Sequence, residues 1–440
     1  MAVVLAASCT PGGSSGNDPT RQPKSRVSTD PSKMGKVTLE VWDQEVRGSQ
    51  NEAMTKLNAE FEEKYPNVEI KRVAKEFTDL KNTLKLALTG GNPPDVIQAN
   101  QGYPDMGIFV DAGMLQPLDP YAEAYDWRKK YSKTLLGMNS FTPNGQTFGK
   151  GNLYGVSQTG EIVGIYYNKE KLAELGDVPK TWGEFTSLVK KAKAAGELPI
   201  AFGNKDQFPA IHTYGMFQNR STSKQDVVDT VFTKPGKKWD TGANAKAAAT
   251  MQDWAEKAYF SPGANGLSYD QAAADFAKGK GVFLLTGTWI TADLAKVMGK
   301  NLGFMPPPPV QAGDPPFTTG GQGLSWAITS RAEHSDAAGA YIDFITSHHA
   351  ADVVTKAGGL PAMEPASAKP ESGTALEQIF SSWRELNETN SLVPYLDYTT
   401  PGFYDTMTVQ LQELLGGRTS AQVCTAEIQK DYGEFQKSKK

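Results

Sequence analysis

Hydrogen-bonding side chains cluster at a few places beside apolar, strand-like runs. Asp43-Gln44-Glu45-Val46-Arg47 follows the run 37–42, Asn100-Gln101 follows 94–99, and Asn204-Lys205-Asp206 with Phe208 follows 198–202. Gly320-Gly321-Gln322-Gly323 precedes the run 324–329, and Tyr395-Leu396-Asp397-Tyr398 forms an aromatic-acidic loop towards the C-terminus. A buried polar group without a partner costs about 1–3 kcal/mol, so groups gathered in this way either satisfy one another or converge on a ligand. Asp43, Glu45, Arg47, Asn100, Gln101, Asp206, Phe208, Gly321, Gln322 and Tyr398 are therefore candidate ligand-binding residues. The loops carry both signs of charge, which points to a neutral ligand.

Sites of covalent or metal chemistry are harder to assemble. No His-Glu-x-x-His occurs, nor a phosphate loop ending in Gly-Lys-Ser or Gly-Lys-Thr. The four histidines are His212, His334 and the adjacent pair His348-His349, and neighbours on a helix point in different directions. No metal and no cofactor is expected, and no catalytic residue is assigned. A glycoside-active enzyme needs only two carboxylates and stands as the alternative, as does a binding protein for another kind of solute.

The elements that hold these loops follow from periodicity. Residues 37–42 and 68–70 alternate as strands do, and Pro94-Asp95-Val96-Ile97-Gln98-Ala99 reads as a third strand. Between them, Met54, Leu57 and Phe61, then Phe77, Leu80, Leu84 and Leu88, recur at helical spacing. Strand and helix in alternation predict parallel α/β units. Later runs, 198–202, 282–285 and 324–329, repeat the theme. A helix is expected from an N-cap at Ser335, and two helical stripes, 407–414 and 421–435, close the chain. Cys424 falls on the second stripe as a core residue.

A chain of 440 residues exceeds one ordinary core and suggests two domains. Its net charge of −4 gives no reason to expect nucleic acid. No apolar run reaches the roughly 18 residues that span a bilayer. At the start, Leu5-Ala6-Ala7-Ser8-Cys9 resembles a bacterial lipobox, with Ala6 where leucine is usual. Lipidation of Cys9 is expected, with residues 1–9 as signal remnant and 10–35 as a Pro-, Gly- and Ser-rich disordered tether. Membrane contact is then through that anchor alone, on the extracellular face of the cell membrane.

Seven short motifs in order resemble the family 1 extracellular solute-binding proteins of ABC sugar importers. They are Gly91-Asn92-Pro93-Pro94-Asp95-Val96, Leu115-Gln116-Pro117-Leu118-Asp119, Leu153-Tyr154-Gly155-Val156, Gly164-Ile165-Tyr166-Tyr167-Asn168-Lys169, Pro179-Lys180-Thr181-Trp182-Gly183-Glu184-Phe185, Phe276-Ala277-Lys278-Gly279-Lys280 and Gly287-Thr288-Trp289. Within the family the chain looks most like actinobacterial binding lipoproteins for xylobiose and related oligosaccharides. The resemblance implies an α/β fold of two lobes, the type II "Venus flytrap", with ligand held in a cleft between them. Lobe 1 is expected at 36–150 and 305–350, lobe 2 at 151–304 and 351–440. It further implies a monomer that binds a neutral sugar and delivers it to the permease subunits. Trp289 matches a position that stacks on sugar rings, and Glu161 falls where the chain is expected to cross between lobes.

Overall fold

The computed structural model describes residues 27–439. Cys9 and the expected tether up to residue 26 lie outside the described residues. Residues 27–35, expected as the end of that tether, instead lie against the folded chain. The Ser28 N–H donates to Asp336, Pro31 is buried, and the Asn67 amide donates to the Pro31 and Gly35 carbonyls. One asparagine thus satisfies two carbonyls that a tether would leave to water.

Two sheets organise the chain. The first contains strands β1 (Val37–Asp43), β2 (Val68–Ala74), β3 (Val96–Ala99), β4 (Val156–Ser157) and β10 (Ser325–Ile328), in the order β2-β1-β3-β10-β4. Strands β2, β1 and β3 run parallel, and β10 is antiparallel to both β3 and β4. The second contains β5 (Gly160–Asn168), β6 (Ile200–Ala201), β7 (Phe283–Gly287), β8 (Leu302–Met305), β9 (Thr318–Gln322) and β11 (Leu392–Val393). Its order is β11-β9-β5-β7-β6, with β8 also paired to β5. The fold is α/β and two-lobed.

Helices cover the sheets as the periodicities require. Helix α1 (Gly48–Lys64) buries Met54, Leu57 and Phe61 and stops before Pro66; α2 (Phe77–Thr89) buries Leu80, Leu84 and Leu88. In the second lobe, α3 (Phe208–Asn219) packs with α4 (Gly242–Glu256), α8 (Phe403–Leu415) and α9 (Ala421–Ser438). Helices α5 (Tyr269–Ala277) and α6 (Thr291–Met298) flank β7. Helix α7 (Ser335–Ile345) returns to the first lobe against β10 and α1. Its N-cap is His334 rather than the expected Ser335, and no side chain caps it. Cys424 is buried in α9.

The chain passes between sheets at three adjacent places. Gln158-Thr159 joins β4 to β5, and Gly323-Leu324 joins β9 to β10. These two run side by side, the Gly323 N–H donating to the Thr159 carbonyl at 3.0 Å. On the other flank the Gly160 N–H donates to the Leu360 carbonyl and the Ala362 N–H to that of Gln158, both at 2.9 Å. The pairing splits the stretch 305–350 that was expected in lobe 1. Thr318 and Thr319 pair with β11 and Gly320–Gln322 with the start of β5, all in the second sheet, and only after Gly323 does the chain join the first. The segment is rich in glycine, so no alternation marked it as a strand.

Away from the crossing, elements of the second lobe also touch the first. Tyr103, just past β3, meets Phe435 of α9 with ring centres 4.8 Å apart, and Phe148 stacks on Phe232 at 4.9 Å.

Candidate functional site

A cavity of about 440 Å³ opens between the two sheets. That volume lies within the roughly 300–1,000 Å³ of small-ligand sites. One wall comes from residues past the carboxyl ends of β1, β2 and β3: Gln44, Arg47 and Gln50, then Glu76 and Phe77, then Asn100 and Gln101. The facing wall follows β6, β7 and β11, with Asp206, Phe208 and His212, then Trp289, then Tyr395, Asp397 and Tyr398. Tyr269 and Asp270 at the start of α5, and Tyr404 of α8, complete it. Open α/β sheets present ligand sites at the carboxyl ends of their strands, and here two sheets present them to each other.

The second wall is an unbroken aromatic arc. His212 lies 5.6 Å from Phe208, 5.3 Å from Trp289 and 5.5 Å from Tyr395, centre to centre. Phe208 meets Tyr269 at 5.1 Å, and Tyr395 meets Tyr398 at 5.4 Å. The Trp289 indole N–H donates to the Tyr269 hydroxyl at 2.8 Å, which fixes the orientation of its half-buried ring. His212 Nδ1 has no partner among the described residues, and burial depresses its pKa to about 3. It is a neutral ring at physiological pH.

Carboxylates dominate the charge. Glu76, Asp79, Glu161, Asp206, Asp270 and Asp397 line the cavity beside a single guanidinium, Arg47. The balance of signs expected from the loops is absent because the basic residues nearby turn elsewhere: Arg72 onto Asp43, and Lys81 onto Asp105. Glu161 accepts from the Tyr395 hydroxyl at 2.7 Å. Burial raises its pKa from the ordinary 4.5 to about 7, with Glu45 adding to the rise and the Tyr395 bond opposing it. Burial likewise lifts Asp397 to about 6. These groups, and the exposed ring faces between them, are fitted to accept hydrogen bonds and to pack apolar faces. Among the described residues no cluster could hold a metal ion.

Of the residues marked in the sequence, Arg47, Asn100, Gln101, Glu161, Asp206, Phe208, Trp289, Gln322 and Tyr398 line this cavity. Three do not. Asp43 is fully buried and held by Arg72 through two bonds of 2.6 and 2.8 Å, so it anchors β1 to β2. Glu45 accepts from Gln98 at 2.8 Å and faces a separate pocket of about 30 Å³, room for a water molecule. Gly321 backs onto the Met138 sulfur instead of the cavity. Gln101 is internally committed as well as exposed to the cavity. Its amide donates to the Gly323 carbonyl and Ser325 Oγ, and its oxygen accepts from Tyr398, across the lobes. Tyr269, His212 and Glu76 were not anticipated. His212 is four residues from Phe208 and therefore on its face of α3, a spacing visible in the sequence.

Raised carboxyls have a consequence for stability. A group whose folded pKa exceeds its unfolded one holds its proton more tightly when folded, so stability falls as pH rises between the two values. For Glu161 the window is about 4.5 to 7. Glu161→Gln should flatten the loss of ligand-free stability across that window in urea titrations, leaving the share due to Glu45, which burial also raises to about 7. A curve parallel to that of the wild type would contradict the assignment.

Residues 47–352 match the family described as bacterial extracellular solute-binding protein. An uncharacterised ABC transporter extracellular-binding protein of Pyrococcus horikoshii is 26% identical over 345 residues, 76% of this chain and 73% of its own length. The multiple sugar-binding protein of Streptococcus mutans is 24% identical over 335 residues, 75% of this chain and 76% of its own. A solved structure of a chitin oligosaccharide binding protein superposes with a TM-score of 0.78, covering 91% of this chain and 99% of its own at 22% identity.

Proposed function

Because this chain belongs to the bacterial extracellular solute-binding protein family, whose members bind and do not transform their solutes, we propose that it is the sugar receptor of an ABC importer, taking a short oligosaccharide between its lobes. The observation that carries this reading is the pairing of an aromatic arc with a wall of hydrogen-bonding groups around one cavity. A saccharide has C–H ring faces and a rim of hydroxyls. The arc suits the first, and carboxylates such as Glu161 and Asp397 suit the second as acceptors. An anionic sugar is disfavoured by the same carboxylates. The names of the Streptococcus mutans and chitin-oligosaccharide proteins support the same class. Xylobiose is one member of that class and is the sugar that the sequence resemblance favours.

Capture follows from differential contact. A ligand held by both walls stabilises the closed arrangement over the open one by whatever the second wall adds. The closed form is what the permease subunits receive, outside the cytoplasm. Cys9 is the proposed lipid anchor. Cys9→Ala in a chain expressed with a complete signal should move the protein from the membrane to the soluble fraction, and unchanged fractionation would remove the anchor from this account.

The sugar reading is tested by calorimetry and thermal shift against xylobiose, diacetylchitobiose, maltotriose and raffinose. At least one should raise the melting temperature and reduce the radius of gyration in solution scattering; no response to any saccharide panel would overturn the reading. Hydrolysis of the bound sugar would instead favour a glycoside-active protein. Trp289→Ala should cost about 1–3 kcal/mol of binding, one to two decades in affinity. Its ligand-free melting temperature should stay nearly unchanged, because the ring is half-buried at the cavity. A large ligand-free drop with the sugar-induced shift preserved would make Trp289 a core residue.

A further inference from the structure

The mouth of the cleft is closed by charge. Arg47 follows β1 in the first lobe, and its guanidinium lies 2.9 Å from Asp270 of α5 in the second. The same nitrogen lies 3.9 Å from Glu76, which precedes α2 in the first lobe. The guanidinium also sits over the Tyr269 ring, 5.6 Å from its centre, and its Nε has no partner among the described residues. Two carboxylates on opposite sides of the cleft thus compete for one cation. They also repel each other: burial raises the Glu76 pKa, and the charges of Asp270 and Asp206 across the mouth raise it further. Asp293 of α6 adds a second-lobe carboxylate within the field of Arg47. Beside this group, Phe77 and Phe208 bring rings from the two lobes to 6.1 Å.

We infer that Arg47 is a two-position switch that sets the balance of open and closed forms, bonding Asp270 when the cleft is shut and Glu76 when it parts. This rests on the reading of the chain as a receptor that opens and closes. In the open form Arg47 keeps an ionic partner on its own lobe, so opening does not strand a partly buried cation. In the closed form Asp270 gains it, and the approach of Glu76 to Asp270 and Asp206 opposes closure. Arg47 acts here as a positioning residue, through the lobes it joins.

The two carboxylates make a discriminating test, because neutralising them should have opposite effects. Asp270→Asn removes the closing bond, and Glu76→Gln removes both the competitor and the repulsion. With partly exposed pairs of this kind, each should move the open-to-closed ratio of the ligand-free protein about two- to five-fold. Solution scattering of the ligand-free full chain should show a larger radius of gyration for Asp270→Asn and a smaller one for Glu76→Gln. Arg47→Gln should resemble Asp270→Asn, and high salt should shrink all three differences. Circular dichroism melts establish that each variant folds. Shifts in the same direction, or none in any of the three variants, would overturn the switch. No sugar enters the measurement, so its failure leaves the sugar reading standing, and an unresponsive saccharide panel leaves opposing shifts intact.

Discussion

Every other property of the molecule depends on how the backbone groups are satisfied where the chain passes from one sheet to the other. Three segments cross together, and they bond to one another: Gly323 to Thr159 on one side, Leu360 and Ala362 to Gly160 and Gln158 on the other. A single unpaired strand would leave its amides to solvent and wander; three paired ones make a narrow ribbon with a definite direction. The ribbon is tight. A side chain on Gly323 would begin 2.3 Å from the Thr159 hydroxyl and 3.2 Å from a Glu161 oxygen. Side chains of the first lobe brace it, since Gln101 and Ser157 donate to the Gly323 carbonyl at 2.8 and 2.7 Å.

The ribbon also explains the unusual state of Glu161. Glu161 is the second residue of β5, just past the crossing, buried beside Tyr395 at the edge of the cavity. A carboxylate in that place is costly unless something donates to it. Tyr395 supplies one donor, and the remaining acceptor capacity faces the cavity. Under the proposed function, the desolvation that raises its pKa would also reward a ligand rich in hydroxyls. Fold and proposed recognition meet in the same few residues here, where paired backbone carries a buried carboxylate with a single donor.

Much of this frame was legible from residue types alone. Alternation in β1 and the stripes of α1 and α2 were clear because one face of each is buried and the other is not. The rule that loops past strands carry function led to both walls of the cleft. What failed did so for lack of partners. Asp43 and Arg47 are four residues apart in one polar run, yet one is locked under Arg72 and the other stands at the mouth. Arg72 lies on the neighbouring strand, and no local pattern pairs it with Asp43. Likewise β9 carries Gly320 and Gly321, placed by the sequence ahead of a strand, and only their pairing with β5 shows that they belong to one.

The aromatic contacts of Tyr103 with Phe435 and Phe148 with Phe232 join the lobes through residues outside the ribbon. A body supported at two separated places keeps one easy rotation, about the line through them, and resists twisting about any other. The cleft is then a door on two bearings rather than a jaw on a string. A cleft hinged along such a line would open along one edge only, and under the proposed function an oligosaccharide would meet the aromatic arc from that side.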